Sequence, residues 1–194
     1  ELDAPILTEE ARRAQFTNEG GIGGKITFLQ NITGLWFLQR LMAEWADEGD
    51  EQQYEPLLAA AERAEIQTVI PVDAPEFQNP KSMQQAICGY CERQALDVPQ
   101  TKADLTRVVL QSLAAKYAEA TQALNAMLPE PIKKLHIIGG GSQNKLLNRL
   151  TQQALGIPVE AGPVEATAIG NILTQALAKG EVADIHEMRS IAIL

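Results

Sequence analysis

The chain has 194 residues, 45% of them apolar, and a net charge of −9, so it is globular and acidic. A nucleic-acid groove needs a basic stripe to displace counterions, and none is present. No apolar run approaches the ~20 residues of a membrane span, and the N-terminus carries no basic, hydrophobic leader, so a cytoplasmic protein is expected. The length suits one good core, or one large domain with an appended lobe.

The opening Glu1-Leu2-Asp3-Ala4-Pro5 lacks an initiator Met and reads like the middle of a loop, which makes a fragment of a longer protein the expectation. Residues 1–15 show no sustained period and are read as loop. From Phe16 to Gln30, two short β-prone runs flank a glycine-rich turn, the pattern of a hairpin. Leu35, Leu38, Leu41, Met42 and Trp45 then fall on one face of a helix, with Trp36, Gln39 and Arg40 off its centre. Gln39 is therefore placed to point into a cleft. A second, alanine-rich helix is expected over 54–64.

The run Thr68-Val69-Ile70-Pro71 reads as a short strand, and the prolines of 71–80 exclude regular structure there. Ser82-Met83-Gln84-Gln85 has the form of a capping box opening a helix that carries Ile87, Cys88, Cys91 and Leu96. Its C-x-x-C lacks the strand-to-helix context of redox motifs and the second ligand pair of zinc sites, so two structural thiols are expected. Thr101 starts the longest helix, in which Leu105, Val109, Leu113, Tyr117, Ala120, Leu124 and Met127 recur every three or four residues. Pro129 and Pro131 end it.

The organising stretch follows. Leu135-His136-Ile137-Ile138 runs into Gly139-Gly140-Gly141-Ser142-Gln143-Asn144, after which Leu146, Leu147 and Leu150 set a helical rhythm. A strand, a tight turn and a helix are expected. The glycines allow positive φ or the flat approach of another group, and the unpaired N–H groups of the helix start offer donors and a positive dipole end. Either a nucleotide lies on such a turn, or the turn needs its glycines for packing alone. Gly156 to Ala161 forms a further strand in which Pro158 marks an early or edge position. Residues 162–165 turn, and the small residues Ala166, Thr167, Ala168 and Gly170 open a helix that another backbone can approach closely. Gly180 stops it, and one short helix around Ile185 and Met188 ends the chain. Hairpin, helices and two late strand–loop–helix units together describe an α/β domain with some parallel pairing.

Several sites are excluded by motif. Asn144 stands where the third glycine of G-x-G-x-x-G belongs, which removes a dinucleotide fold although Glu160 falls near the expected acidic position. No Walker loop is present. His136 and His186 are the only histidines and form no ligand pair, so no metal cage is expected. The aspartates all lie in loops or at helix ends, and none stands out as a base.

Five segments, in order, resemble the C-terminal half of the FGGY carbohydrate kinases: Asn18-Glu19-Gly20-Gly21, residues 31–40 from Asn31 to Arg40, residues 73–80 from Asp73 to Pro80, residues 136–144 from His136 to Asn144, and residues 161–171 from Ala161 to Asn171. The likeness covers nearly the whole chain. The glycine and Glu-Ala-Thr segments are common to these kinases, whereas Asn-Ile-x-Gly-Leu-Trp-x-Leu-Gln-Arg and Phe-x-Asn-Pro point more narrowly to members acting on L-rhamnulose, with fuculose- or xylulose-type ketoses as alternatives. The resemblance implies an actin/hexokinase-like (ribonuclease H-like) ATPase fold with a mixed sheet flanked by helices, of which residues 1–194 form the C-terminal domain. It implies ATP and Mg2+, a sugar substrate, a nucleotide cleft shared with an N-terminal kinase domain, and neither nucleic acid nor membrane as partner.

Carried over residue by residue, it implies that Asn31 contacts the sugar, that Gln39 and Gly140 contact ATP, and that Gly139 and Gly141 flank the adenosine. Asn144 is then a polar neighbour of base or ribose, and residues 165–170 pack beneath the loop. The family's catalytic aspartate lies in a Gly-His-Asp motif followed by a Ser-Gly-Thr phosphate turn, and neither occurs in these residues. No catalytic residue is therefore assigned in this chain, and the isolated polypeptide is expected to be inactive. The alternative from another class is a non-catalytic nucleotide-binding or interaction module.

Overall fold

The computed structural model describes residues 1–193, which divide into two compact units, 1–132 and 133–194. In the first, β1 (Thr17–Gly20) and β2 (Ile26–Leu29) form the expected antiparallel hairpin with Thr17 opposite Leu29. Phe16 stacks on Phe28 at 4.9 Å across it. Four helices build the core: α2 (Trp36–Asp47), α3 (Tyr54–Arg63), α4 (Met83–Arg93) and α5 (Lys102–Met127). The first half of α5 is buried on every side, including Thr106 and Ser112, because α3 and α2 both pack on it. Thr101 and Asp104 complete a reciprocal capping box at its start.

Residues 1–15 are not all loop. α1 (Glu9–Arg13) is capped by the Thr8 hydroxyl, and Glu9 pairs with both Arg12 and Arg13. Local pairing three and four residues apart holds one turn that is too short to show a hydrophobic period. Nor is 68–71 a strand. The segment is extended but pairs with no other: Ser112 Oγ accepts from the Ile70 N–H at 2.9 Å, and the Gln111 side-chain amide donates to the Thr68 carbonyl. Side chains of α5 thus take the polar groups that a ladder would have used.

The cysteine helix ends at Arg93, leaving Leu96 37% exposed beyond it. On α2, Phe37 is fully buried together with Trp45, although only Trp45 belongs to the face that period alone selects. Phe77, in a short 3-10 turn at Pro75–Phe77, covers Phe37 at 5.7 Å and brings a second wall of core to that side.

In the second unit, β3 (Leu135–Ile137) and β4 (Val159–Ala161) pair in parallel, connected by α6 (Lys145–Leu155), which packs on β4 and buries Leu146, Leu147 and Leu150. α7 (Ala166–Lys179) and α8 (Ile185–Ile193) pack on one another. The α/β class is realised as helices with two separate two-stranded sheets, one antiparallel and one parallel, in place of a single mixed sheet. The hairpin pairs through its own turn, the parallel pair through its crossover helix, and the residues from 68 to 70 that might have extended a sheet are held by α5.

Candidate functional site

At Gly139 the backbone leaves β3 with φ 78° and ψ −171°, a region open essentially to glycine alone. Its N–H donates to Pro163 O at 3.0 Å, while Gly162 N–H donates to Ile137 O at 2.8 Å. The turn after β4 therefore lies directly against the glycine loop. A Cβ at Gly162 would come 2.9 Å from the Ile138 side chain, so that approach needs a bare α-carbon. Residues 165–170 do not play this part: Ala168 is exposed and a Cβ at Gly170 would meet open space.

Gly140 to Gln143 make one 3-10 turn, stitched from below. The Ser142 hydroxyl donates to Gly139 O at 2.8 Å, and the Asn148 side-chain amide donates to Ser142 O at 2.9 Å. Asn144 is the N-cap of α6, its Oδ1 accepting from the Leu147 N–H at 2.9 Å, and it is 1% exposed. Its Oδ1 is thus engaged under the loop, at the residue that the resemblance makes a polar neighbour of base or ribose. The upper side differs: Gly140 is exposed, and a Cβ there would meet nothing within 4 Å. Bare main chain and open space coincide at this position, the first residue of the turn that leads into α6. Asn148 Oδ1, on the side chain whose amide holds the loop, is buried without a hydrogen-bond partner.

Ser142 and Asn148 escaped sequence reasoning. The spacing of Asn144 and Asn148, four apart on one helix face, was the available signal. His136 lies exposed on β3, 3.6 Å from Glu160, whose carboxyl is held below its ordinary range first by Lys134.

The other two expected contacts belong to the first unit. Asn31 lies between β2 and α2, and Gln39 on α2; both are exposed. Near them, at the start of α2, a cavity of about 470 Å3 is lined by Thr33, Trp36, Phe77 and the loop bearing Asp73 and Gln78. Lys116 on α5 donates to the Asp73 carboxylate at 2.8 Å and holds its pKa below the ordinary aspartate value. Glu44 is another residue that no motif flagged: its carboxylate accepts from the Met83 and Gln84 N–H groups and the Ser82 hydroxyl, tying α2 to the start of α4.

Cys88 and Cys91 are free thiols, half-buried and buried, with pKa values raised by burial. This is the environment of structural cysteines. Among the described residues no three of His, Cys, Asp or Glu converge to hold a metal ion, and no helix is long and apolar enough to cross a membrane.

The FGGY family of carbohydrate kinases, C-terminal domain, matches residues 1–179, and the chain belongs to that family. Its relatives narrow the class. A rhamnulokinase from Bacteroides thetaiotaomicron is 44% identical over 98% of this chain and 39% of the relative. Rhamnulokinases from Pectobacterium carotovorum and Yersinia pestis are 42% and 39% identical over 97% and 98% of the chain. The chain spans about two-fifths of the length of these curated relatives.

Proposed function

We propose that this chain is the adenosine-side, C-terminal domain of a cytoplasmic sugar kinase with the actin/hexokinase-like fold, which transfers the γ-phosphate of ATP to a ketose, L-rhamnulose giving L-rhamnulose 1-phosphate. The observation that carries the proposal is the open face of the glycine loop, where bare main chain at Gly140 begins the turn that leads into α6. The rhamnulokinase relatives supply the substrate.

In this account Gly139 turns the chain so that a flat purine can rest on Gly140 and Gly141, and Gln39 contributes a polar contact to ATP. Asn31 contacts the sugar. Asn144 serves as a positioning residue: by capping α6 from within, it holds the loop's main chain in place beneath the nucleotide. The helix start favours negative charge on the same ligand.

Phosphoryl transfer depends on positioning the nucleophile and neutralising phosphate charge. Mg2+ bound with ATP would supply the latter, and the described residues form no cluster that would hold it within this chain. The general base is assigned to an aspartate outside these 194 residues, in an N-terminal partner domain or the segment leading to this one. Assaying the full-length protein against L-rhamnulose, fuculose and xylulose tests the proposal. Turnover fastest on L-rhamnulose is expected; the absence of ATP consumption with any ketose would overturn it and favour a non-catalytic nucleotide-binding module.

A further inference from the structure

Asn31, the proposed sugar contact, stands on a segment with little to hold it. Residues 31–34 join β2 to α2 without regular structure and, among the described residues, make no hydrogen bond to the rest of the chain. Downstream the segment is fixed by α2, whose Phe37 and Leu38 are buried in the core. Upstream, β2 stops at Leu29, and the side chain of the next residue carries the tie.

That residue is Gln30. Its Nε2 donates to the Ala14 carbonyl at 2.8 Å, across 16 positions of sequence. Ala14 is the C-cap of α1, and the last carbonyls of a helix have no donor within it. Gln15 follows in the left-handed region at φ 59° and turns the chain, after which Phe16 stacks on Phe28 at 4.9 Å. The helix end is therefore joined to the hairpin at two points, a ring pair and an amide, and the amide is the one next to Asn31. Gln15 and Thr33, which lie just beyond the two bonded residues, line one cavity at the start of α2.

The amide has one orientation. Its Oε1 is buried without a hydrogen-bond partner, and turning the group over would set that oxygen against the Ala14 oxygen. A buried acceptor left unpaired costs about 1–3 kcal/mol. An apolar side chain of the same length avoids that cost, so packing alone does not account for a glutamine here. Its donor does.

We infer that Gln30 is a positioning residue for ketose binding: by clasping the end of α1 it sets the main chain from which Asn31 reaches the sugar. The inference rests on the reading of Asn31 as the sugar contact, and Gln30 itself touches no substrate. Without the clasp the connector is anchored at α2 alone. A group displaced by about 1 Å can lose up to about a hundredfold of its effect.

The test measures the Kd of L-rhamnulose in the full-length protein by calorimetry, which needs no turnover, beside the Kd of ATP. Gln30→Met keeps the length and removes the donor; it is expected to weaken L-rhamnulose at least about fivefold and to leave ATP within about twofold. Gln30→Leu reads the same loss should the methionine variant fail to fold. Gln30→Lys still carries a donor that can reach Ala14 and is expected to stay within about twofold of wild type for both ligands. Asn31→Ala is expected to weaken L-rhamnulose too, and adding Gln30→Met to it is expected to cost nothing more, because no contact is left to position. A glutamine that only stabilised the fold would lower the thermal midpoint and leave the L-rhamnulose Kd of the folded protein unchanged. Unchanged L-rhamnulose affinity in Gln30→Met, or a double variant whose loss is the sum of the two single ones, would overturn the inference. Unchanged affinity in Asn31→Ala, or no binding of L-rhamnulose by the wild type, would overturn the sugar-contact reading first and the inference with it.

Discussion

Gly139 and Gly140 are neighbours with opposite tolerances. A Cβ at Gly139 would be forced into a backbone region that side chains avoid, so Gly139→Ala is expected to destabilise the chain by about 1–3 kcal/mol. At Gly140 the added methyl meets open space, and Gly140→Ala is expected to stay within about 0.5 kcal/mol of wild type. Urea unfolding of the two variants checks the pair. Beneath them, Asn144→Ala removes the α6 cap and is expected to cost about 0.5–2 kcal/mol. Glu44→Ala strands two backbone N–H groups and the Ser82 hydroxyl at the start of α4, with an expected loss of about 1–3 kcal/mol. Hydrogen exchange in the first turn of α4 should rise selectively in that variant.

Between elements, the clearest electrostatic tie joins the 72–80 loop to α5 through Asp73 and Lys116. Lys116 lowers the Asp73 pKa in the folded chain, so its contribution is fully present above the unfolded value of about 3.9 and is lost as pH falls through the lower folded value. The stability difference between wild type and Asp73→Asn is therefore expected to hold from pH 7 to about pH 4 and to shrink below it; urea midpoints at several pH values measure this.

Elements carried by local signals were legible beforehand. The hairpin, α2, α3, α5 with its Thr101–Asp104 box, and the strand–glycine–helix unit all follow from turn residues, caps and period. What the sequence does not disclose depends on distant partners. Thr68 to Ile70 reads as a strand until Gln111 and Ser112 occupy its polar groups. Phe37 is absent from the face set by residues 35, 38, 41, 42 and 45, and its burial beside Phe77 shows only in the fold. At the candidate site the glycines and Asn144 are visible by motif, but the engagement of Asn144 under the loop and the supporting bonds of Ser142 and Asn148 require the folded turn.

At the scale of the molecule, family membership and function divide along the length of the chain. The family is established over residues 1–179, while the relatives are more than twice as long as the matched segment. No Gly-His-Asp motif occurs in these residues, so no proposed base is available within them. The 194-residue chain alone is expected to show no ketose-dependent ADP release, whereas the full-length protein is expected to turn over; steady turnover by the isolated chain would place the base within it.

The most direct test is the ATP affinity of Gly140→Leu in the full-length protein. A Cβ at this position meets nothing within 4 Å in this chain, so unchanged thermal stability is expected together with a rise in the KM for ATP of about tenfold or more, ~1.4 kcal/mol of lost binding. An unchanged KM for ATP at unchanged stability would contradict the account, because the nucleotide would then lie elsewhere.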